Sequence, residues 1–409
     1  MGLKSLQHAE WFELDSEYPT YQRIRRARLE RRGSELLRVL PSHQVSDGAV
    51  IRGARCAQGA VELVHAIATY LAQRYPACFA LDAHARTITN RVLGEKYGLP
   101  PSVWADEAAG RLRDVALEEG EAALRTCALL VPDDLALLTE GADGKYYLQA
   151  GAIVIPGTWR LRDKLGMKLE DIHVEGGVPR YEQALRPSMD RYFARLAVDK
   201  PVVRVNYGVQ VLPANWEQDP TSEKAVMDPD ELAWAATTMG TEFPEFDEPR
   251  TDADLDAPGH NAPTYGKEST PQDGLKRHAI RATVHPGRLR LRVERQTLRR
   301  LPGTGIIVFG IRTYRYAISD IKGEVEGDGE QQAGTALIEK GAAPGVEGDV
   351  TASERDTKSG SSGQLPTSSV GARLASAIRS WPDDVRRYKG GQTYGDTLVE
   401  YLEKECPVN

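Results

Sequence analysis

Segments 202–212 (VVRVNYGVQVL), 288–293 and 306–316 repeat in polarity with a period of two. That period sends successive side chains to opposite faces of a strand, so these segments must lie in a sheet with two distinct surfaces. In the last of them Ile307, Phe309 and Ile311 turn one face into a core and leave Arg312 and Tyr314 on the other. Segment 145–155 (KYYLQAGAIVI), closed by Pro156-Gly157, reads as a further strand, and Pro213 closes 202–212. The basic segment ERQTLRRLPGTG is expected to join the last two strands.

Elsewhere the spacing is helical. A basic helix is expected from Tyr21 to Val39, with Arg23, Arg25, Arg26, Arg28, Arg31 and Arg32 solvated and balanced by Glu30 and Glu35. Val61, Val64, Ile67 and Leu71 mark a helix over 57–75 that ends at Tyr75-Pro76. A third helical region, rich in Ala, Glu and Arg, is expected over 103–126. Pro187 fits the first turn of a helix whose apolar stripe is Met189, Tyr192, Phe193 and Leu196. Helices are also expected over 368–380 and 396–404. Helices and strands together make an α+β chain. Stretches 217–273 and 321–367 are poor in apolar residues and read as unpacked. The second, rich in Gly, Glu and Ser, cannot offset its chain entropy and is expected to be disordered. The expected division is a mainly helical region 1–130, a core 131–320 with an irregular insertion 217–273, the acidic segment 321–367, and C-terminal helices 368–409 packing on the core.

Composition narrows the function classes. The 409 residues include 52 basic and 59 acidic ones, a net charge of −7, which argues against broad electrostatic binding of nucleic acid. No run of 18 apolar residues exists, so no membrane span is expected. The N-terminus lacks an apolar signal core, and a cytoplasmic location is expected. Cys56, Cys78, Cys127 and Cys406 are too dispersed for a CxxC zinc or thioredoxin-type site, and free thiols fit a reducing compartment.

The chain carries no GxSxG elbow, HExxH, P-loop or EF-hand loop. Gly303-Thr304-Gly305 precedes a strand instead of opening a helix, which is wrong for a dinucleotide turn. None of the eight histidines pairs with another at metal-binding spacing. His173 stands apart, because it follows the aromatic and basic patch Trp159-Arg160-Leu161-Arg162-Asp163-Lys164 and precedes a turn-rich Gly176-Gly177 loop. A single imidazole suffices for a metal centre that brings its other ligands, and haem is that case. Its carboxylates need cations, and Arg160, Arg162, Lys164 and Arg180 are near in sequence. His278 and His285 are the nearest rival ligands.

The strings GLKSLQHAEWFELDSEY (2–18), WRLRDKLGMKLEDIH (159–173), DRYFARL (190–196), RVNY (204–207) and RVERQTLRRLPGTGIIVFGIRTY (292–314) resemble the haem-dependent oxidative N-demethylase alpha-subunit-like family. RRYKGG (386–391) resembles its C-terminal signature. The resemblance implies a PAS-like antiparallel sheet that binds haem b, with extensive helical elaboration. It also implies a haem-dependent monooxygenase that oxidises an amine with dioxygen, its electrons coming from separate flavin and iron–sulfur partners. The alternative is a non-catalytic PAS-type haem sensor, since a fold does not dictate a function. Ile172-His173 matches the family's Ile-His pair, which makes His173 the implied iron ligand. Arg160, Arg162, Lys164, Arg295, Arg312 and Tyr314 are the candidate cofactor-binding residues, and Glu294, Arg204 and Thr297 the candidate catalytic ones. Glu294 is suited to hold a cationic amine or relay protons, or else to pair with a neighbouring arginine. Arg299 and Arg300 are assigned propionate or structural roles, and Asp133-Asp134 a cap or ion-pair role. The chain departs from the family pattern at Gly310, where a threonine is typical, and the missing side chain is expected to enlarge the substrate pocket.

Deletion of residues 324–364 is expected to leave folding and haem content intact, because loop length costs little. Thermal unfolding of the deletion variant checks this, and a large drop in midpoint would show that the segment is packed.

Overall fold

The computed structural model describes residues 2–42, 55–181, 185–213, 232–246, 284–321 and 369–406. Its N-terminal half runs β1 (Lys4–Ser5), α1 (Tyr18–Leu36), β2 (Leu37–Val39), α2 (Cys56–Arg74), three short strands β3 (Phe79–Asp82), β4 (Thr87–Asn90) and β5 (Glu95–Gly98), a ribbon β6 (Trp104–Asp106) and β7 (Arg111–Leu112), then α3 (Leu117–Leu130). The hairpin β8 (Asp134–Glu140) and β9 (Tyr146–Ala152) follows, then α4 (Leu161–Lys164), α5 (Leu169–Glu175) and α6 (Arg186–Arg195). After these come β10 (Val202–Val211), α7 (Ala236–Met239), β11 (Leu289–Arg300), β12 (Ile307–Ala317) and α8 (Ile318–Ile321). Helices α9 (Val370–Arg379), α10 (Asp383–Tyr388) and α11 (Gly391–Glu405) close the described chain.

Seven strands build one antiparallel sheet in the order β1-β10-β11-β12-β8-β9-β2. The architecture is mixed helix and antiparallel sheet, as an α+β chain requires. One sheet face, with Leu135, Leu137, Ala150 and Val308, packs on α1–α3 through residues such as Val64 and Leu124. The other face, with Ala136, Leu138, Leu298 and Ile307, is covered by Leu161, Phe193 and Leu196 from α4 and from the end of α6. At the far end of β10 and β11, Val211 and Leu289 meet Leu374, Leu398 and Leu402 of the C-terminal helices. Because both faces are covered, alternation here does not separate core from solvent. Arg292, Arg295 and Arg312 are all buried.

Several elements depart from the sequence expectations. Residues 104–112 form the β6–β7 ribbon, turned at Gly110 (φ +64°), so helix begins only at Leu117; local helix propensity yields to tertiary pairing. The first seven residues of ERQTLRRLPGTG stay in β11, because Glu294 to Arg300 keep their ladder partners on β12. The first helix stops at Leu36, and Leu37–Val39 instead pairs with β9 at the sheet edge. The last helix starts at Gly391, after Gly390 in the left-handed region (φ +70°). Within 217–273, residues 232–246 are packed: Leu232, Ala233 and Phe243 belong to the main core. The rest of that stretch lies outside the described residues, as does 321–367 apart from Ile321. Among the described residues no helix is long and apolar enough to cross a membrane, and no disulfide forms. Burial pushes the Cys56 and Cys127 thiols up.

Helices α2 and α3 meet at a glycine. A Cβ on Gly120 would lie 2.7 Å from the Ala57 Cα and 2.8 Å from its Cβ. Backbone cannot swing aside as a side chain can, so Gly120→Ala is expected to destabilise by about 1–3 kcal/mol. Thermal or urea unfolding measures it, and an unchanged midpoint would show that the two helices part freely.

Candidate functional site

Helix α5 carries His173 across the sheet face formed by the even-numbered residues of β11. Its Leu169 and Ile172 pack with Leu298 and Phe309. The helix is pinned by buried Glu170, which pairs with Lys145 at 3.3 Å, Arg186 at 2.9 Å and Lys168 at 3.7 Å. Lys145 also pairs with Asp190 of α6 at 2.5 Å. His173 therefore sits in a helix and not in a loop. The turn expected around it begins at Gly176, which caps the helix, and Gly177 takes φ +66°.

The His173 ring is tied on one side and stacked on another. Its Nδ1 lies 2.7 Å from Leu169 O, and a carbonyl only accepts, so Nδ1 carries the proton and Nε2 keeps its lone pair. Tyr181 stacks on the ring at 4.9 Å and 9°. Burial holds the imidazole below its ordinary range, and Arg204 and Lys164 add to the effect. A neutral ring with one fixed N–H is the form a metal ligand takes.

Arg204, Lys164 and Glu294 share this side of the sheet. Register places Arg204 opposite Gln296 and Asn206 opposite Glu294. Arg204 Nε donates to Gln296 Oε1 at 2.7 Å, and Gln296 Nε2 donates to Glu294 Oε2 at 2.9 Å. Asn206 Nδ2 lies 3.5 Å from the same oxygen, and Arg292 Nε is 3.7 Å from Glu294 Oε1. Lys164 Nζ lies over the Trp159 ring at 4.6 Å. Burial lowers that ammonium to about 8, although Asp163, Glu294 and Glu175 pull the other way. From the C-terminal RRYKGG segment, Lys389 Nζ donates to Tyr207 O at 2.5 Å and approaches Asn206 Oδ1 at 3.4 Å. Asn206, Gln296 and Lys389 carry no catalytic or cofactor-binding assignment from the sequence. The first two follow from the period of two and the strand register, because they share a face with Glu294.

Other candidates lie elsewhere. Arg295, Thr297, Arg312 and Tyr314 point to the opposite face, under the N-terminal segment, because each is an odd step along its ladder from Glu294 or its partner Thr313. Arg295 donates to Trp11 O at 3.2 Å and pairs with Glu13 at 2.8 Å. Arg312 pairs with Asp15 at 2.7 Å, and the Tyr314 hydroxyl donates to Glu13 at 2.5 Å. These four do not share a site with His173. Arg160 binds Asp163 at 2.7 Å and Glu242 O at 3.1 Å, and Arg162 pairs with Glu35 and Glu245. Both are near Lys164 in sequence but committed to ion pairs around α4. Arg180 pairs with Asp384 at 3.6 Å, Arg299 covers Trp11, and Arg300 donates to the Leu196, Phe193 and Gly305 carbonyls. Of the rival histidines, His285 accepts from Gly287 N in a turn, while His278 lies outside the described residues. Gly310 also belongs to the opposite face. A Cβ there would meet Thr297 Oγ1 at 2.7 Å and Asp133 Oδ1 at 3.7 Å, so its missing side chain makes room beside those groups and not beside His173. Among the described residues no three His, Cys, Asp or Glu side chains come together to hold a metal.

The acidic pair splits its roles. Asp134 pairs with Arg25 at 2.6 Å and accepts from Val154 N and Ile155 N. Asp133 is wholly buried, and neither carboxylate oxygen has a hydrogen-bond partner among the described residues. Burial pushes Asp133 up to about 7, against the pull of Arg312 and Arg295. An unfolded aspartate titrates near ~4, so between about pH 4 and 7 the folded state keeps a proton that the unfolded state has lost. Stability from this residue therefore falls as pH rises through that window and then levels off. Asp133→Asn is expected to match the wild type near pH 4 and to exceed it in stability at pH 8. Denaturant unfolding at both pH values checks this, and parallel behaviour would contradict it.

No curated protein matches the sequence. A family model does match, over residues 2–243 and 249–336, which is most of the chain and includes every strand of the main sheet together with His173, Arg204 and Glu294. The chain belongs to the haem-dependent oxidative N-demethylase, alpha subunit-like family.

Proposed function

We propose that the chain is a haem-dependent oxygenase that holds haem b through His173. It would oxidise an amine or related nitrogenous metabolite in an N-demethylation-like reaction, with electrons from a separate flavin and iron–sulfur reductase. The observation that carries this reading is the His173 ring, its Nδ1–H bound to Leu169 O and its Nε2 left as a donor atom. Family membership supports the haem and the oxidative chemistry, and the alpha-subunit description supports a separate electron donor. Numbered along the chain as one to five, strands β8 to β12 run 2-1-5-4-3, with α4–α6 inserted between the second and third. That order supports a PAS-like core, whose ligand would lie between the inserted helices and the sheet. A cytoplasmic location accords with cysteines that form no disulfide among the described residues.

Residues already in place fit the group. His173 offers one neutral nitrogen, and Lys164 and Arg204 lie on the same side as cations for its carboxylates. When bound, haem supplies the activation of dioxygen that oxidising a carbon beside nitrogen needs. The chain's own part is to position and to move protons. Gln296 and Asn206 orient the Glu294 carboxylate from two strands, which suits it to hold an ammonium substrate or to accept a proton. Gln296 also fixes Arg204 beside it.

His173→Ala is expected to lose haem or to change the ferric Soret band, whereas His65→Ala should not, because His65 Nε2 is engaged with Pro100 O at 2.9 Å. Pyridine haemochrome content and absorbance spectra check this; wild-type haem content and spectrum in His173→Ala would overturn the assignment. Amine-dependent oxygen consumption with an artificial reductant tests turnover, and its absence in haem-loaded protein would favour a sensor.

A further inference from the structure

Three cations surround the His173 side of the sheet without a carboxylate at ion-pair distance among the described residues. Among the described residues the Lys164 ammonium stands over the Trp159 ring and the Arg204 guanidinium donates to the neutral amide of Gln296. Lys389 meets Tyr207 O and Asn206 Oδ1, and its ammonium stands over the Tyr207 and Trp381 rings at 4.7 and 5.7 Å. Glu294 lies within the electrostatic reach of all three, but the cation at its carboxylate is Arg292. The nearby Asp163 is held by Arg160.

Even half-burying a cation without counter-charge is unfavourable, and Lys164, Arg204 and Lys389 are each half-buried. Burial indeed holds Lys164, Arg204 and Lys389 below their ordinary ranges. The three come from separate elements, α4, β10 and the residue ending α10, so no local helix pattern explains their convergence. Tyr388, next to Lys389, also lies within electrostatic reach of Arg204, which brings the RRYKGG segment to the edge of the same site.

We propose that Lys164, Arg204 and Lys389 form a carboxylate-binding site whose occupants are the two propionates of the haem. The assignment rests on the haem reading above. It gives the C-terminal segment, which lies beyond the family match, a direct part in cofactor binding. Arg160 and Arg162 are correspondingly not propionate partners, because their ion pairs are already formed.

The test compares two porphyrins on the haem-free full-length protein, haem b and haem dimethyl ester, which lacks the carboxylate charges. Absorbance titration gives each affinity. Wild type is expected to favour haem b at least about tenfold, the scale of one charge-assisted hydrogen bond. Lys389→Met should lose about that factor for haem b and little for the ester, and Lys389→Arg should restore it. Arg204→Gln should show the same selectivity loss, and circular dichroism confirms that each variant is folded. Equal affinity of wild type for the two porphyrins would overturn the propionate site and point to a substrate carboxylate as its anion. A Lys389→Met variant that weakens both porphyrins equally would overturn it too. If wild type bound neither porphyrin, the haem reading itself would fall along with the site.

Discussion

Guanidinium groups buried on both faces of the sheet set the terms for everything packed on it. β11 and β12 carry Arg292, Arg295, Arg300 and Arg312, and a guanidinium stays charged at any ordinary pH, so each must find acceptors before it can be covered. Arg292, Arg295 and the half-buried Arg300 find them on backbone carbonyls, and Arg312 finds one in the Asp15 carboxylate. Arg292 donates to Leu232 O and Ile155 O, both at 2.9 Å, and Arg295 to Trp11 O at 3.2 Å. Arg300 gathers Leu196 O, Phe193 O and Gly305 O within 2.8 Å. Removing such a partner leaves a buried charge unsatisfied, which costs several kcal/mol. The arginines thus decide which loops lie against the sheet and where each one stops.

This constraint divides the sheet into two unlike surfaces. Under the N-terminal segment Arg295 pairs with Glu13 and Arg312 with Asp15, within electrostatic reach of the buried Asp133. Under α4–α6 Glu294 is the carboxylate on the strands, Lys164, Arg204 and Lys389 have no carboxylate at ion-pair distance among the described residues, and His173 presents an unprotonated nitrogen. The first surface is a fastening and the second has the chemistry of a site. The Glu170 ion network matters for the same reason: it fixes a short helix that has too few turns to be stable alone, and with it the imidazole.

Part of the candidate site is legible residue by residue. His173 was set apart by its neighbourhood and by the family's Ile-His pair, and Glu294 by its place on a strand. The errors share one cause. Arg295 and Arg312 are neighbours in sequence of residues on the site face, but a step of one along a strand crosses the sheet. Arg160 and Arg162 lie four and two residues before Lys164, yet each turns into a different ion pair. Closeness in sequence is not closeness on one face, because in short helices and strands a step of one residue changes the face. Lys389 lay more than 200 residues from His173, and only docking of the C-terminal helices on β10 brings it in.

The alternating strands and the helices over 57–75 and after Pro187 can be read from the residues in order, because periodicity and caps are local, and the family can be read from its motif strings. The sequence left open the short strands β3 to β7 and the extent of β11, whose basic residues read as a connection until their ladder partners were known. It also left open which face holds the site. That choice depends on how buried charges are distributed among covering segments, which is a property of the assembled packing and not of any stretch of residues. Tertiary structure alone brought Lys164, Arg204 and Lys389 within electrostatic reach of Glu294, because charges on three separate elements converge only when helices and sheet have closed on each other.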